Sequence, residues 1–235
     1  MEIIEDVVFE NIDFRTEVLK KGEYENCTFK KCILSDCDLN TFKFIGCVFE
    51  NCDLSLASIH KVVLREVQFK ECKMVGLKFD TTDSFSISIA IDHCILTYAS
   101  FYKLKLKNTI FLHSKLNEVD FTEADLTNAV FDQCDLTNAI FSATNLEKAD
   151  FTTAFNYSID MDSNKIKKSV AASFLFGCLT WIRTKTNCTK NSCATVTPSG
   201  NPLAIHRMDC KNRGRHKNFQ IFIGLTQQYL GFGLT

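Results

Sequence analysis

Apolar residues recur at every fifth position for most of this chain. Ile4, Phe9, Phe14, Leu19, Tyr24, Phe29, Leu34, Leu39, Phe44, Phe49, Leu54, Ile59, Leu64, Phe69, Met74 and Phe79 hold one frame. Ile91, Leu96, Phe101, Leu106, Phe111, Leu116, Phe121, Leu126, Phe131, Leu136, Phe141, Leu146 and Phe151 hold a second, displaced by two residues. All of these positions are apolar in a chain of 235 residues that is 46% hydrophobic. For one fixed frame, chance gives such a run with odds of about 10⁻¹⁰. A period of five matches neither the 3.6-residue turn of an amphipathic helix nor the two-residue alternation of a strand. It requires a backbone that turns a corner every five residues.

The position two before each apolar centre is small or thinly apolar, as at Ala99, Ser114, Ala124, Ala129, Cys134, Ala139 and Ala149. The other three positions are mostly polar. Two of five side chains therefore point inward and three outward. Ala124-Asp125-Leu126-Thr127-Asn128, Cys134-Asp135-Leu136-Thr137-Asn138 and Ala149-Asp150-Phe151-Thr152-Thr153 resemble the consensus of the pentapeptide-repeat family. The resemblance implies an all-β fold, a right-handed quadrilateral β-helix with one pentapeptide per side and twenty residues per coil. The residues support that coil length independently. Phe9, Phe29, Phe49 and Phe69 stand twenty apart, and in the second run Phe and Leu alternate strictly. Phe101/Phe121/Phe141 and Phe111/Phe131/Phe151 would then form columns on two opposite sides, with leucine columns between them. Coils pair about 4.8 Å apart, so the rings should stack inside a filled tube. Each buried Phe or Leu contributes roughly 1.5–3 kcal/mol, which suffices only when neighbouring coils stack on it.

The chain divides near residue 168. Residues 1–168 read as one β-helix domain, with a bulge or short loop where the frame slips, near 80–90. Residues 169–235 show no period, contain both prolines, and read as an irregular or disordered tail. Trp181-Ile182-Arg183-Thr184 back-translates as the complement of a tRNA T-arm, which points to a frameshift with read-through. The formal net charge of −1 conceals an acidic repeat region and a basic tail. Acidity peaks in 118–162, where Lys148 is the one base among ten carboxylates. Direct nucleic-acid binding by the repeat region is disfavoured, because an acidic surface releases no phosphate counterions. Cys27, Cys32, Cys37, Cys47, Cys52, Cys72, Cys94 and Cys134 all occupy the small inward position, so they read as core residues rather than disulfide partners or zinc ligands. Free thiols in such number suggest a reducing cytoplasm. No apolar run is long enough to predict a membrane span.

No P-loop, GxGxxG, HExxH or GxSxG motif is present, so no enzyme, catalytic residue or cofactor is expected. His93 and His113 stand twenty apart and should stack on one outer wall; the sequence offers no evident third ligand, so no metal is expected. The candidate site is instead an acidic binding face made of Asp120, Glu123, Asp125, Asp132, Asp135, Glu147 and Asp150. The segment 156–168 resembles the closing segment of bacterial Qnr-like, quinolone-resistance-type members of the family. Met161 stands where those relatives often have proline. The resemblance implies a non-enzymatic, DNA-mimicking binder and protector of type II topoisomerases, DNA gyrase or topoisomerase IV. It also implies a C-terminal cap that joins two copies; this chain lacks the usual cap sequence, which argues against a homodimer. The long projecting loops of the best-understood Qnr-like proteins are absent. The alternative is a structural or scaffold β-helix with an unrelated protein partner.

Overall fold

The structure, a computed structural model, describes residues 2–83 and 87–169. The tail expected over 169–235 lies outside these residues except for Ser169, and so does the middle of the joint, Ser84–Ser86. Short strands follow one another: β1 (Glu2–Glu5), β2 (Val8–Glu10), β3 (Gly22–Glu25), β4 (Thr28–Lys30), β5 (Lys43–Ile45), β6 (Val48–Glu50), β7 (Val63–Arg65), β8 (Val67–Lys70), β9 (Ile89–Asp92), β10 (Ile110–Leu112) and β11 (Val130–Asp132). One parallel sheet has the order β1-β3-β5-β7, the other β11-β10-β9-β8-β6-β4-β2. Isolated parallel bridges continue the same stacking on the remaining sides, such as Lys105↔Asp125↔Asn145↔Lys165. Partners lie twenty residues apart, as in Phe29↔Phe49 and Phe111↔Phe131. The fold is the right-handed quadrilateral β-helix that the family resemblance implies.

The corner has a specific backbone cause. Two residues after most centres, the chain enters the left-handed region; among the described residues, 25 other than glycine have φ between 48° and 66°. Among the described residues, only Gly46 and Gly76 supply glycine there. A left-handed residue with a side chain costs roughly 1–2 kcal/mol, least for Asn and Asp, and Asn occupies the site at 11, 26, 51, 108, 128, 138 and 156. Most of these bends aim the corner N–H along the tube axis at the next coil. Asn26 N–H meets the Ile45 carbonyl at 2.8 Å, Asn51 that of Lys70 at 2.9 Å, and Asn128 that of Glu147 at 3.0 Å. The bend thus converts a local cost into a ladder bond, and satisfies backbone groups that a tight turn would otherwise leave unpaired.

Inside, the centres form the expected columns. Phe9, Phe29, Phe49 and Phe69 stack at centroid distances of 4.8, 4.7 and 5.2 Å. Phe111, Phe131 and Phe151 stack at 4.9 and 4.7 Å with interplanar angles of 1° and 10°. Phe101, Phe121 and Phe141 stack at 5.3 and 5.2 Å. The two later columns meet edge to face, Phe101 to Phe111 at 6.0 Å and 83° and Phe121 to Phe131 at 5.8 Å and 83°. Both arrangements suit the ring quadrupole. Asn156 falls where a centre is due, and Tyr157 fills the place instead, 5.3 Å from Phe151.

The cysteines sit where the sequence puts them and do more than fill space. Sides that form a strand lack the turn hydrogen bond from residue i+3 to the centre carbonyl, which leaves that carbonyl facing the next coil's small residue. Cys47 Sγ lies 3.2 Å from the Tyr24 carbonyl, Cys52 3.3 Å from that of Phe29, Cys94 3.4 Å from that of Phe69 and Cys134 3.4 Å from that of Phe111. Asn164 donates likewise to the Phe141 carbonyl at 3.0 Å, and Thr144 adds its hydroxyl at 2.9 Å to the Phe121 carbonyl, which also accepts the Ala124 N–H. Where the turn bond exists, as from Leu104 to Phe101 and Ala129 to Leu126, the next coil places an alanine there, Ala124 and Ala149. Burial pushes the Cys47 thiol up to about 11 and that of Cys134 up to about 12, so these two stay protonated donors. All eight cysteines among the described residues are free.

The frame slip is two extra residues in one coil. Phe69 pairs with Ile91 and Lys78 with Ser100, twenty-two apart, and the stack then resumes. A 3-10 turn, Phe79–Thr81, lies in this coil. The β1–β7 sheet ends there. At the N-terminus the first coil is a stack end: Phe9, Phe14 and Leu19 are only partly buried, and Val8 and Val18 are exposed.

Two substitutions test this account by urea denaturation. Phe131→Ala, at a fully buried ring stacked on both sides, lowers the unfolding free energy by about 3–5 kcal/mol. Thr41→Gly raises it by roughly 1 kcal/mol, because Thr41 is β-branched at φ 66° and its buried hydroxyl has no partner. A third test uses thiol labelling of the native protein: Cys47 and Cys134 stay unmodified until the chain is unfolded.

Candidate acidic binding surface

The seven expected carboxylates flank four different columns, so they do not share one wall. Asp120 and Glu123 lie on the side centred on Phe121, Asp125 and Glu147 on that of Leu126 and Leu146, Asp132 and Asp150 on that of Phe131 and Phe151, and Asp135 on that of Leu136. They form a belt around the C-terminal coils. Glu123 is exposed, and the other six are half-buried.

Four of the seven have a structural task that the sequence reading missed. Each stands just before a centre and caps the corner two residues on. Asp120 accepts the Thr122 N–H at 2.8 Å, Asp125 that of Thr127 at 3.2 Å, Asp135 that of Thr137 at 3.1 Å and Asp150 that of Thr152 at 2.8 Å. This is the local Asx turn that a short side chain makes to its own backbone. Asn145 does it equally, accepting the Glu147 N–H at 3.2 Å. Burial raises the Asp125 and Asp135 carboxyls. The hydrogen bonds of Thr127 and Lys107 at Asp125, and of Thr137, Asn117 and Asn156 at Asp135, outweigh it and hold both below their ordinary value. The outward signal in the sequence was the Asp-x-Thr spacing itself.

The charge balance changes along the tube. In the N-terminal coils, one outer column reads Glu10↔Lys30↔Glu50↔Lys70↔Asp92, strictly alternating in sign. Lys43 meets Glu23 at 2.8 Å and Lys73 meets Asp53 at 3.3 Å, each one coil apart. From 118 to 162 Lys148 is the one lysine. Glu123 keeps Lys103 at 3.5 Å and Asp125 keeps Lys107 at 3.3 Å. Among the described residues, Asp120, Asp132, Asp135, Glu147 and Asp150 have no cation within ion-pair distance. Asp132 takes only the Thr153 hydroxyl.

Two other places carry chemistry-bearing side chains. His93 and His113 stack as their spacing predicts, with centroids 4.4 Å apart and rings 18° from parallel. Asp92, which the sequence reading did not bring in, lies beside both: its Oδ1 is 2.7 Å from His93 Nδ1 and 3.4 Å from His113 Nδ1. Near the N-terminus, a shallow groove of about 450 Å³ runs between Phe14–Leu19 and Ser35–Leu39. Its one thiol, Cys37, is pushed up by burial, and its cation, Arg15, is forked onto Asp13 at 2.9 and 2.7 Å. Nothing in it pairs a nucleophile with a base.

With this geometry in view, comparisons with known proteins agree on the fold. A model of the pentapeptide repeat region matches residues 88–155, and a model of pentapeptide repeats in eight copies matches residues 32–70. Residues 32–70 and 88–155 of this chain are thus pentapeptide repeats. Neither model describes an enzyme family. Among solved structures it is similar to full-length QnrB1, a plasmid-mediated fluoroquinolone resistance protein, at 18% identity and a TM-score of 0.50, over 76% of this chain and 99% of that one. It is also similar to HetL, a pentapeptide repeat protein involved in heterocyst differentiation regulation in the cyanobacterium Nostoc sp. strain PCC 7120. There the identity is 14% and the TM-score 0.49, over 72% of this chain and 84% of HetL. No curated protein matches the sequence. No helix among the described residues is long and apolar enough to cross a membrane.

The turn-capping carboxylates set the acid response. Asp53, Asp125 and Asp135 titrate lower in the fold than in the unfolded chain. Their contribution is therefore complete above the unfolded carboxyl pKa of about 3.9 and is lost as pH falls through the folded values. The thermal midpoint should drop on acidification below about pH 4. In Asp125→Asn/Asp135→Asn the drop should be smaller, since Asn145 shows that asparagine makes the same turn without a titrating proton.

Proposed function

We propose that this protein is a non-enzymatic binding module whose acidic C-terminal coils dock on a basic, nucleic-acid-binding protein, and that a type II topoisomerase is the partner. One observation carries the reading: the belt of carboxylates whose lysine partners run out after Asp125, on a rod whose N-terminal coils are charge-balanced. B-form DNA offers about one negative charge per 1.7 Å of axis on all sides of a cylinder. A β-helix offers carboxylates at a fixed repeat of about 4.8 Å, here on all four sides, to a basic groove shaped for a cylinder. A belt suits an enclosing groove better than a single wall would. The resemblance to Qnr-like proteins and the shared fold with QnrB1, a fluoroquinolone resistance protein, support the choice of gyrase or topoisomerase IV. A cytoplasmic location follows from such a partner.

The test is a gyrase supercoiling assay with a quinolone present and the full chain added. The reading predicts that supercoiling is restored, that the effect weakens as salt rises, and that Asp120→Asn/Asp125→Asn/Asp135→Asn/Asp150→Asn loses it while circular dichroism shows the fold retained. Indifference at high protein excess contradicts the topoisomerase assignment and favours a scaffold with another protein partner.

A further inference from the structure

Outside the acidic belt, the best-organised group of ligating side chains is Asp92, His93 and His113. We propose that these three residues form a binding site for a divalent transition-metal cation of the zinc type, on the outer wall where β9 meets β10.

The tube itself builds the geometry. His93 and His113 are corner residues, at φ 52° and 48°, and their N–H groups are tied to the Leu112 and Asp132 carbonyls of the next coils at 3.0 and 2.8 Å. Their Cα atoms are thus fixed one coil apart by the same ladder that sets the register of the core. Asp92 is the last residue of β9 and pairs in register with Leu112, the last of β10. This brings its carboxylate to the ring edges rather than to the faces. The result is two imidazoles stacked at 4.4 Å whose Nδ1 atoms converge on one carboxylate oxygen. The three ligand atoms lie within 4.8 Å of one another. That compactness fits a shared ion, since zinc holds imidazole nitrogen and carboxylate oxygen at about 2.0–2.2 Å.

The donor set selects the class of ion. Two neutral imidazoles and one carboxylate suit Zn²⁺, Ni²⁺ or Cu²⁺, whereas Ca²⁺ and Mg²⁺ prefer all-oxygen shells. Both histidine ligands must be neutral at the ligating nitrogen, so protons compete with the ion for the site. The side chains are partly exposed, 56% for His93, 36% for His113 and 39% for Asp92. An ion can therefore enter without opening the core, and positions beyond the three ligands stay open to water or to an incoming group.

The test uses the full chain and Zn²⁺ in competition with a chromophoric indicator at pH 7.5, together with His93→Gln, His113→Gln and Asp92→Asn. The corner N–H bonds do not involve these side chains, so the variants keep the fold, which circular dichroism checks. The proposal predicts one equivalent of Zn²⁺ that either histidine variant weakens at least tenfold and that is released on acidification to pH 5.5. It also predicts that substoichiometric Cu²⁺ selectively broadens the amide resonances of residues 92–93 and 112–113. Cysteines and histidines of the tail could bind further equivalents, and these would survive in all three variants. Zn²⁺ stoichiometry and affinity unchanged in every variant, or broadening confined to other residues, would overturn the proposal.

Discussion

The structure depends on one bond repeated along the rod: the N–H of a left-handed corner residue donated to the coil ahead. A backbone that turns every five residues has no local way to satisfy that N–H. The left-handed bend points it along the axis, where the next coil's carbonyl waits at 2.8–3.0 Å in pairs such as Asn26–Ile45, Gly46–Arg65 and Asn128–Glu147. The conformational cost recurs at every corner, and only stacking offsets it. A single coil would bear the cost with neither the bond nor the ring contacts, which is why such a fold exists only as a stack. The stacked Phe columns and the ladder are therefore two consequences of one register.

That register also governs the outer wall. Residues twenty apart become neighbours, so the sequence can write charge pairs between coils, as in Glu23–Lys43 and Asp53–Lys73. A slip of one coil would set like charges side by side in the alternating column from Glu10 to Asp92. The same rule assembles the Asp92–His93–His113 group from residues on separate coils. Surface chemistry on this scaffold is a matter of columns, and a flat, filled tube offers columns in place of clefts.

Much of the fold was legible because a period of five leaves few solutions. The ring columns, the inward cysteines, the stacked histidines and the two-residue slip all follow from counting. The corner conformation was not legible, because Lys31, Leu56, Glu71 and Ala143 show no preference for it and adopt it under the demand of the stack. The acidic surface was read in part. Spacing identified Asp120, Asp125, Asp135 and Asp150 as outward, yet outward residues of successive pentapeptides fall on successive sides, so they form a belt. Their capping role was hidden because an aspartate that caps a turn and one that faces a partner look alike in sequence. Asp92 was missed for a related reason: its importance comes from a neighbour twenty-one residues away, His113.

The most direct measurement is residue-level hydrogen exchange on the native protein. Corner residues such as Asn108, Asn128 and Lys148 have exposed side chains, and an ordinary surface turn would let their amides exchange freely. If each corner N–H is bonded to the next coil, these amides are protected as strongly as those of Phe111 and Phe131. Corner amides that exchange at the rate of an unstructured chain, beside protected core amides, would contradict the account.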